Sequence, residues 1–253
     1  MKLKSLLTAV LLIVTATAFS QEEKVVRVIF DEALTDTTAY HNLRLLCKNH
    51  KGRITGTPEA NKAVDFVAEI MRQMNLDRVE KQPVTVPRWV RGEAEKAFIE
   101  VGSVKTEVPV SALGMSIGTG EKGLTAPVIE VRNFKELEKL GTKNIAGKIV
   151  FFNRPMDPTL INTFAAYSGA GDQRSQGATH AARFGAVGVV VRSLTTASDN
   201  FPHTGVMRYN DTIPKIPAVA ISTKGADLLS KTLKSNPETQ FSFRTTCYQL
   251  PDS

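Results

Sequence analysis

Only two cysteines, Cys47 and Cys247, occur in the 253 residues. Neither has a second cysteine at ligand spacing, which argues against a thiolate zinc site. The four histidines, His41, His50, His180 and His203, stand singly, so no H-x-D or H-E-x-x-H is present to announce a metal-binding helix or strand. A one-sided basic stripe is also missing. The formal charge is +7, Lys2 and Lys4 account for two of those charges, and the rest are scattered. The densest groupings, Lys48–Arg53 and Arg88–Arg91, are too short for a nucleic-acid surface. Beyond the first twenty residues no apolar run exceeds strand length, Ala186–Val191 being typical, so no membrane span is expected there. Repeats and low-complexity linkers are absent. With 42% hydrophobic and 23% charged residues, the composition is that of a globular chain and excludes disordered and coiled-coil classes.

What is there begins with an export signal. Lys2 and Lys4 precede an apolar stretch from Leu6 to Ala18, and Ala18 and Ser20 stand three and one places before a cut ahead of Gln21. Residues 1–20 are therefore expected to be removed, leaving a secreted or periplasmic protein of one large domain or two modest ones. In an oxidising compartment a Cys47–Cys247 bond would be permitted, with a loop-entropy gain of about 4–5 kcal/mol. The plainer expectation is two small buried side chains.

From Val25 to Leu76 the pattern is helical. Ile29, Phe30, Ala33 and Leu34 begin one apolar stripe, and Tyr40, Leu43, Leu46 and Cys47 carry a second. After the turn at Lys51–Gly56, Thr57 and Pro58 open the clearest helix, whose apolar face holds Ala60, Ala63, Val64, Val67, Ile70, Met71 and Met74. The period then shortens to that of strands at Val79–Val86, Ala97–Val101, Glu107–Val110 and Val128–Val131, with a domain boundary near Gly92. Asn133 and Glu136 read as a capping box for a helix ended by Gly141. Further strands are expected at Lys148–Phe152, Val187–Arg192, Ala218–Ser222 and Gln240–Tyr248. Helices are expected at Gln173–Phe184 and Ala226–Leu233. Strands alternating with single helices give the fold class α/β (α+β), as a β-sandwich or open barrel flanked by helices.

Two motifs suggest chemistry and fail on context. Gly114-Met115-Ser116-Ile117-Gly118 fits G-x-S-x-G, but the glycine-rich stretch after it cannot open the helix that a nucleophile elbow requires. Gly118, Gly120 and Gly123 spell G-x-G-x-x-G yet run into a strand instead of a helix, so a hairpin is expected. His180, on a predicted helix, is expected at the surface.

Three stretches read together resemble the secreted co-catalytic zinc exopeptidases of the plasma glutamate carboxypeptidase (carboxypeptidase Q) family and its bacterial relatives. The first runs from Leu43 to Gly92 and ends in V-P-x-W-x-R-G. The second, IAGKIVFFNRPM at Ile145–Met156, is similar to the strand opening the protease-associated domain of these enzymes. The third, Gln173–Ser222, carries QRSQGATHAARFGAVGVVVRSL, then PHTG, then IPKIPAVAIS.

The resemblance implies a zinc metallopeptidase, a hydrolase releasing a terminal amino acid from short peptides. It implies leading helices over residues 21–91 and a protease-associated domain with a return strand over 92–253. The family's ligands, beginning with an H-x-D, lie after the inserted domain. The chain ends about where that part would resume, so no catalytic or metal residue is assigned, and no zinc is expected on this chain although the full-length enzyme carries it. The chain is then expected to be a non-catalytic portion that shapes or covers the substrate cleft and is inactive alone, with peptide as substrate and a homodimer as a further possibility.

Two side chains are candidates for standing beside substrate. Arg174 offers paired donors to a peptide carboxylate, and His203 of the PHTG loop lines the cleft or a dimer contact. Against these stand plainer roles, a structural salt bridge for Arg174 and a loop hydrogen bond for His203. The rival readings are a stand-alone secreted binding module and a serine hydrolase using Ser116.

Overall fold

The computed structural model describes residues 22–252; the expected signal peptide, residues 1–20, lies outside them. Two compact units divide the chain. The first runs to Ile54 and resumes over Pro58–Pro83, and the second takes Thr55–Thr57 and everything from Val84 onward.

The first unit is helical. It contains α1 (residues 22–35), α2 (Thr38–Asn49) and α3 (Pro58–Arg72). Helix α2 buries none of its residues, and α3 buries only Ala63 and Ala68. Val64, Val67, Met71 and Met74 of the α3 stripe are exposed. The His50 ring leans on Phe66 at 4.7 Å, and Lys81 reaches Asp65 at 2.6 Å, tying the segment after α3 back to it. That segment was expected to be a strand over Val79–Val86. It has no regular structure, because Pro83 and Pro87 withdraw donors from any ladder.

The second unit is one mixed sheet of eight strands with helices on it. Its strands are β2 (Lys96–Val101), β3 (Val104–Glu107), β4 (Val110–Ala112), β5 (Leu124–Val131), β6 (Ile149–Phe152), β7 (Gly188–Arg192), β8 (Ala218–Ile221) and β9 (Gln240–Arg244), in the order β3-β2-β9-β5-β6-β7-β8-β4. Strands β5 to β8 are parallel neighbours, and the remaining pairs are antiparallel. Strands β3 and β4 are the two ends of the sheet, yet only Val108 and Pro109 separate them. The sheet must therefore curl until its edges approach, which selects the open barrel over the sandwich. Inside it β6, Ile-Val-Phe-Phe, is buried on both faces, as a parallel strand under helices must be. Ile149 and Phe151 join Ile99, Val190, Leu229 and Phe241 on one face; Val150 and Phe152 join Leu137, Ile145 and Ala178 on the other.

Helices α4 (Phe134–Ile145), α5 (Thr163–Ala182) and α6 (Thr223–Ser235) cover the sheet. Asn133 caps α4 by accepting from Glu136 N at 2.9 Å, while the Glu136 carboxylate takes the amide of Arg132 at 2.7 Å, one residue earlier than a capping box prescribes. Gly141, read as the helix end, leaves helical geometry at φ 64° and ψ 176°, so the helix opened at Phe134 ends there and a second short helical piece runs on to Ile145. The expected helix Gln173–Phe184 starts ten residues sooner, at Thr163, capped by Asn162 onto Ala165 N. Its first half, FAAYSGAG, has no hydrophobic period to read. It is held by Ala166 and Ala170 packing on Met156 and Leu194.

A two-stranded ribbon closes the unit: β1 (Arg88–Val90) pairs antiparallel with β10 (Tyr248–Leu250). Strand β1 was not expected. The expected strand Gln240–Tyr248 is really β9 and β10, broken at residues 245–247, where Thr119 and Thr245 exchange hydrogen bonds. The expected strand Glu107–Val110 is the bend joining β3 to β4. Trp89 anchors the ribbon, its indole Nε1 donating to Ser116 O at 2.8 Å while the Arg91 guanidinium lies 5.1 Å from its ring. Arg91 in turn reaches Glu95 and Ser111, both at 2.8 Å. The V-P-x-W-x-R-G turn is thus a latch.

Gly118 tests the packing around it. A Cβ at this position would stand 2.7 Å from Cys247 O and 2.9 Å from Thr245 O, both backbone atoms that cannot swing aside. Gly118→Ala should lower unfolding free energy by about 1–3 kcal/mol. Gly169→Ala, in an open position within α5, should raise it by about 0.5–1 kcal/mol. Urea unfolding of both variants checks the opposite signs.

Candidate functional site

Open sheets of parallel strands bind ligands at the carboxyl ends of the strands. In this chain those ends carry Glu130, Asn153, Arg192 and Ser193, followed in sequence by the loop Pro202–Gly205. Most of the polar groups are already spoken for. Asn153 Nδ2 donates to Glu130 at 2.7 Å, Ser230 Oγ donates to the other Glu130 oxygen at 2.8 Å, and Arg192 reaches Asp227 at 2.6 Å and Asn153 at 3.2 Å. Arg154 pairs with Asp172, and the buried Gln173 amide both accepts from and donates to the Arg154 backbone. This network fixes the first half of α5 against the end of β6.

The PHTG loop is held as firmly. His203 N donates to Ser193 Oγ at 2.8 Å, Thr204 Oγ1 to Ala112 O at 2.6 Å, and Gly205 O accepts from Gly114 N at 2.8 Å. The His203 side chain faces Asp199 at 3.7 Å and is 43% exposed.

Arg174 projects from α5 onto this loop. Its Cζ lies 5.0 Å from the centre of the Tyr167 ring, its Nη2 donates to the Tyr167 hydroxyl, and its guanidinium lies close to Gly205. A Cβ at 205 would come within 2.6 Å of the guanidinium carbon. Arg174 and His203, both singled out by sequence, therefore meet the same loop two residues apart. The salt bridge expected for Arg174 does not form among the described residues. Tyr167 and Gly205 were missed. The signal for Tyr167 is its spacing of seven from Arg174, two turns along one helix face.

The other sequence candidates resolve differently. Ser116 is buried, and its hydroxyl donates to Ile117 O and accepts from Ala218 N, each at 2.9 Å, so it is part of the sheet's hydrogen bonding. Gly120 and Gly123 take φ of 74° and 71° in the turn ahead of β5, but β4 and β5 on either side of that turn are not paired, so the expected hairpin does not form. His180 is not a surface histidine. It is half-buried and stacks on Phe134 at 3.9 Å and 3°, and burial, with Arg183 nearby, pushes its pKa down. Both cysteines are free; Cys47 is exposed, against expectation, and Cys247 is buried, with its thiol pKa raised by that burial. No three His, Cys, Asp or Glu side chains gather among the described residues, so the donor set there does not fit a zinc ion. No helix among them is long and apolar enough to cross a membrane.

Comparison with known proteins gives a consistent picture. No family model matches the chain. Human carboxypeptidase Q is 35% identical over 193 residues, 76% of this chain and 39% of that protein. Carboxypeptidase Q of Xenopus laevis is 34% identical over 218 residues, 85% of this chain and 44% of the relative. A peptidase M28 precursor from Shewanella amazonensis superposes with a TM-score of 0.85 at 32% identity, covering 91% of this chain and 51% of that one. An aminopeptidase from Aneurinibacillus sp. strain AM-1 shares the fold, with a TM-score of 0.54 at 18% identity over 85% of this chain and 45% of its own. The chain thus spans less than half the length of the carboxypeptidase Q relatives it matches.

Fluorophosphonate should leave Ser116 unlabelled. Ser116→Ala should cost about 1–3 kcal/mol, because the buried Ala218 N–H loses its acceptor; an active-site probe gel and a denaturation curve check the two halves. Iodoacetamide should alkylate Cys47 in the folded chain at mildly alkaline pH and reach Cys247 only after unfolding, as peptide mass mapping with and without urea will read.

Proposed function

Because the chain is a carboxypeptidase Q-like member of the M28 peptidases, we propose that it forms the N-terminal, non-catalytic portion of an exported zinc exopeptidase. In this reading residues 1–20 are the export signal, residues 21–91 are the leading helices of the peptidase domain, and residues 92–253 are a protease-associated domain with its return strand. That domain shapes or covers the cleft in which short peptides lose a terminal residue. Zinc belongs to the whole enzyme, and the described residues contribute no ligand set, so no hydrolytic step is routed through them. Arg174 and His203 stand beside the substrate, the first meeting a carboxylate and the second lining the cleft or a contact with a second copy.

The observation that carries the reading is the 32% identity to the Shewanella amazonensis peptidase M28 precursor along 91% of this chain, with a TM-score of 0.85. Likeness of that length in sequence and backbone together covers both the helical unit and the curled sheet. The β1–β10 ribbon supports it further: the second unit begins and ends at one point, as a segment inserted in another domain must. The exposed stripe Val64, Val67 and Met71 on α3 supports a larger protein, since a helix with that face needs cover.

A chimera tests the proposal. With this chain in place of the corresponding part of the Shewanella enzyme, zinc-supplemented protein should hydrolyse dipeptides within about tenfold of the parent rate. The same 253 residues alone should neither retain stoichiometric zinc on dialysis nor turn over peptide. A folded but inert chimera, or turnover by the isolated chain, would sink the reading.

A further inference from the structure

We propose that the outer edge of β3 takes an extended peptide segment as an added antiparallel strand, and that the segment it fits reads apolar, basic, any residue, acidic, with neither chain end required to be free. The site lies apart from the peptidase reading, which needs a free chain terminus, and does not rest on it.

The ladder between β2 and β3 decides which backbone groups are spare. Val108 N donates to Ala97 O at 3.0 Å, and Phe98, Ile99, Glu100 and Val101 stand in register with Glu107, Thr106, Lys105 and Val104. Along an antiparallel pair, residues alternate between exchanging hydrogen bonds with the neighbour and facing away from it. Val104, Thr106 and Val108 therefore turn their N–H and C=O toward β2, while those of Lys105 and Glu107 point outward. Strand β3 ends the sheet, so no strand lies on that side, and all four of its residues are exposed. The other end of the sheet is treated differently: at β4 the outward amide of Ala112 is taken by Glu95 and its carbonyl by Thr204. That edge is blocked at Ala112 by side chains, whereas β3 presents two donors and two acceptors in a row.

Open edges usually carry a device against pairing, such as a proline, a bulge or a lysine standing in the way. Pro109 falls beyond β3, and the register with β2 runs unbroken from Glu107 to Val104, without a bulge. The one lysine, Lys105, reaches back across the ladder to Glu100 at 3.0 Å, away from the edge. Glu107 shares a face with Lys105, has no ion pair among the described residues, and faces Phe98 on β2.

The surroundings indicate which side chains the segment carries. At the end of the strand opens a cavity of 790 Å³ whose lining includes Glu107, Val110, Phe201, Pro202, Lys224 and Leu228, within the range of about 300–1,000 Å³ common to ligand sites. Phe201 is 74% exposed. In an added antiparallel strand the residue opposite Glu107 shares its face, where a basic side chain answers the unpaired carboxylate. The residue before it stands opposite Val108, on the face that Val108 turns toward Leu229 of α6, so an apolar side chain suits it. Two places after the basic residue, opposite Lys105, an acid completes the pattern. Four backbone hydrogen bonds supply affinity, and these three side chains supply selection. Strand β3 itself, Val104 to Glu107, has this order, which makes a second copy the rival occupant. The cavity favours a single strand, because Phe201 and α6 flank the place that a whole second sheet would have to enter.

Fluorescence anisotropy of the full chain with a dye-labelled peptide Val-Lys-Thr-Glu-Val, blocked at both ends, tests this. Binding should be saturable and one to one. N-methylation of the peptide's Lys and Glu amides, which face β3, should abolish binding, whereas N-methylation at the intervening Thr, whose amide faces away, should change it by no more than about threefold. Exchanging the peptide's Lys and Glu should weaken binding about three- to tenfold, the scale of two cross-strand charge pairs. Glu107→Pro removes an outward donor and leaves the bonds to β2 in place, so the variant should fold and lose the peptide; Lys105→Pro serves should Glu107→Pro fail to fold. No saturation by about 1 mM peptide, equal loss on N-methylation at Thr, or unchanged binding by Glu107→Pro overturns the proposal. Sedimentation of the chain alone at rising concentration addresses the rival occupant: self-association that Glu107→Pro removes would give the edge to a second copy and overturn the peptide site. None of these readouts depends on the chimera, so the peptidase reading and the strand site stand or fall separately.

Discussion

Two residues, Val108 and Pro109, join strands that stand at opposite ends of an eight-stranded sheet, and that short tether constrains the second unit. A flat sheet of eight strands at about 4.8 Å spacing would hold its edges more than 30 Å apart, whereas the three Cα–Cα steps from Glu107 to Val110 reach at most about 11 Å. The sheet has to curl, and curling decides what the side chains do. Ile149, Phe151, Val190 and Phe241 converge on the concave core, and the opposite face is left for α4 and α5. Curling also brings the edge of β4 within reach of Glu95, whose carboxylate accepts from Ala112 N at 2.8 Å and occupies an amide that would otherwise invite another strand. The same strand's carbonyl at Ala112 receives Thr204, so the PHTG loop is fixed by an edge that exists because the sheet closed.

The legible parts of the sequence were those whose pattern is local. The β-branched runs of β6, β7 and β8 are continuous because they are covered on both faces, and their bounds fall within a residue of where hydrophobicity alone puts them. The Asn133 cap is a contact between near neighbours, equally visible in either description. What could not be read depends on partners far along the chain. Strand β1 is three residues whose only ladder partner lies about 160 positions later, and nothing in Arg-Trp-Val by itself demands it. The first half of α5 has two glycines and a run of alanines. Its helicity is imposed by an N-cap and by Met156 and Leu194, which lie outside it. Val79–Val86 shows the opposite failure: it has strand composition, yet Pro83 within it and Pro87 after it withdraw donors from any ladder.

The site divides in the same way. Arg174 and His203 could be picked out because their residue types carry chemistry, but what the fold adds at Arg174 is the Tyr167 ring and Gly205 beside it. Spacing gives Tyr167 at best, and Gly205 is 31 residues on, in a loop whose path depends on β4 and Ser193. Ser116 is the converse. Its motif is local and suggestive, and the fold spends its hydroxyl on Ala218 N, 102 positions away, where a sheet amide needs an acceptor.

The ribbon β1–β10 links these observations. It brings residue 88 beside residue 250, so everything between them is a closed excursion that begins and ends at one place. Trp89 buries its ring and donates to Ser116 O, Cys247 on the other side of the ribbon also reaches Ser116 O, and Gly118 lets the backbone at Thr245 and Cys247 approach where a methyl group would collide. Ser116 is therefore used twice, its hydroxyl holding β8 and its carbonyl holding the ribbon. A glycine-rich loop that resembles a nucleophile elbow is in fact the joint between the sheet and its two ends, and Gly118 in it is demanded by close backbone approach. Gly205 differs: a Cβ there would meet only the Arg174 guanidinium, the end of a side chain that can swing, whereas at Gly118 the obstacles are backbone carbonyls that cannot.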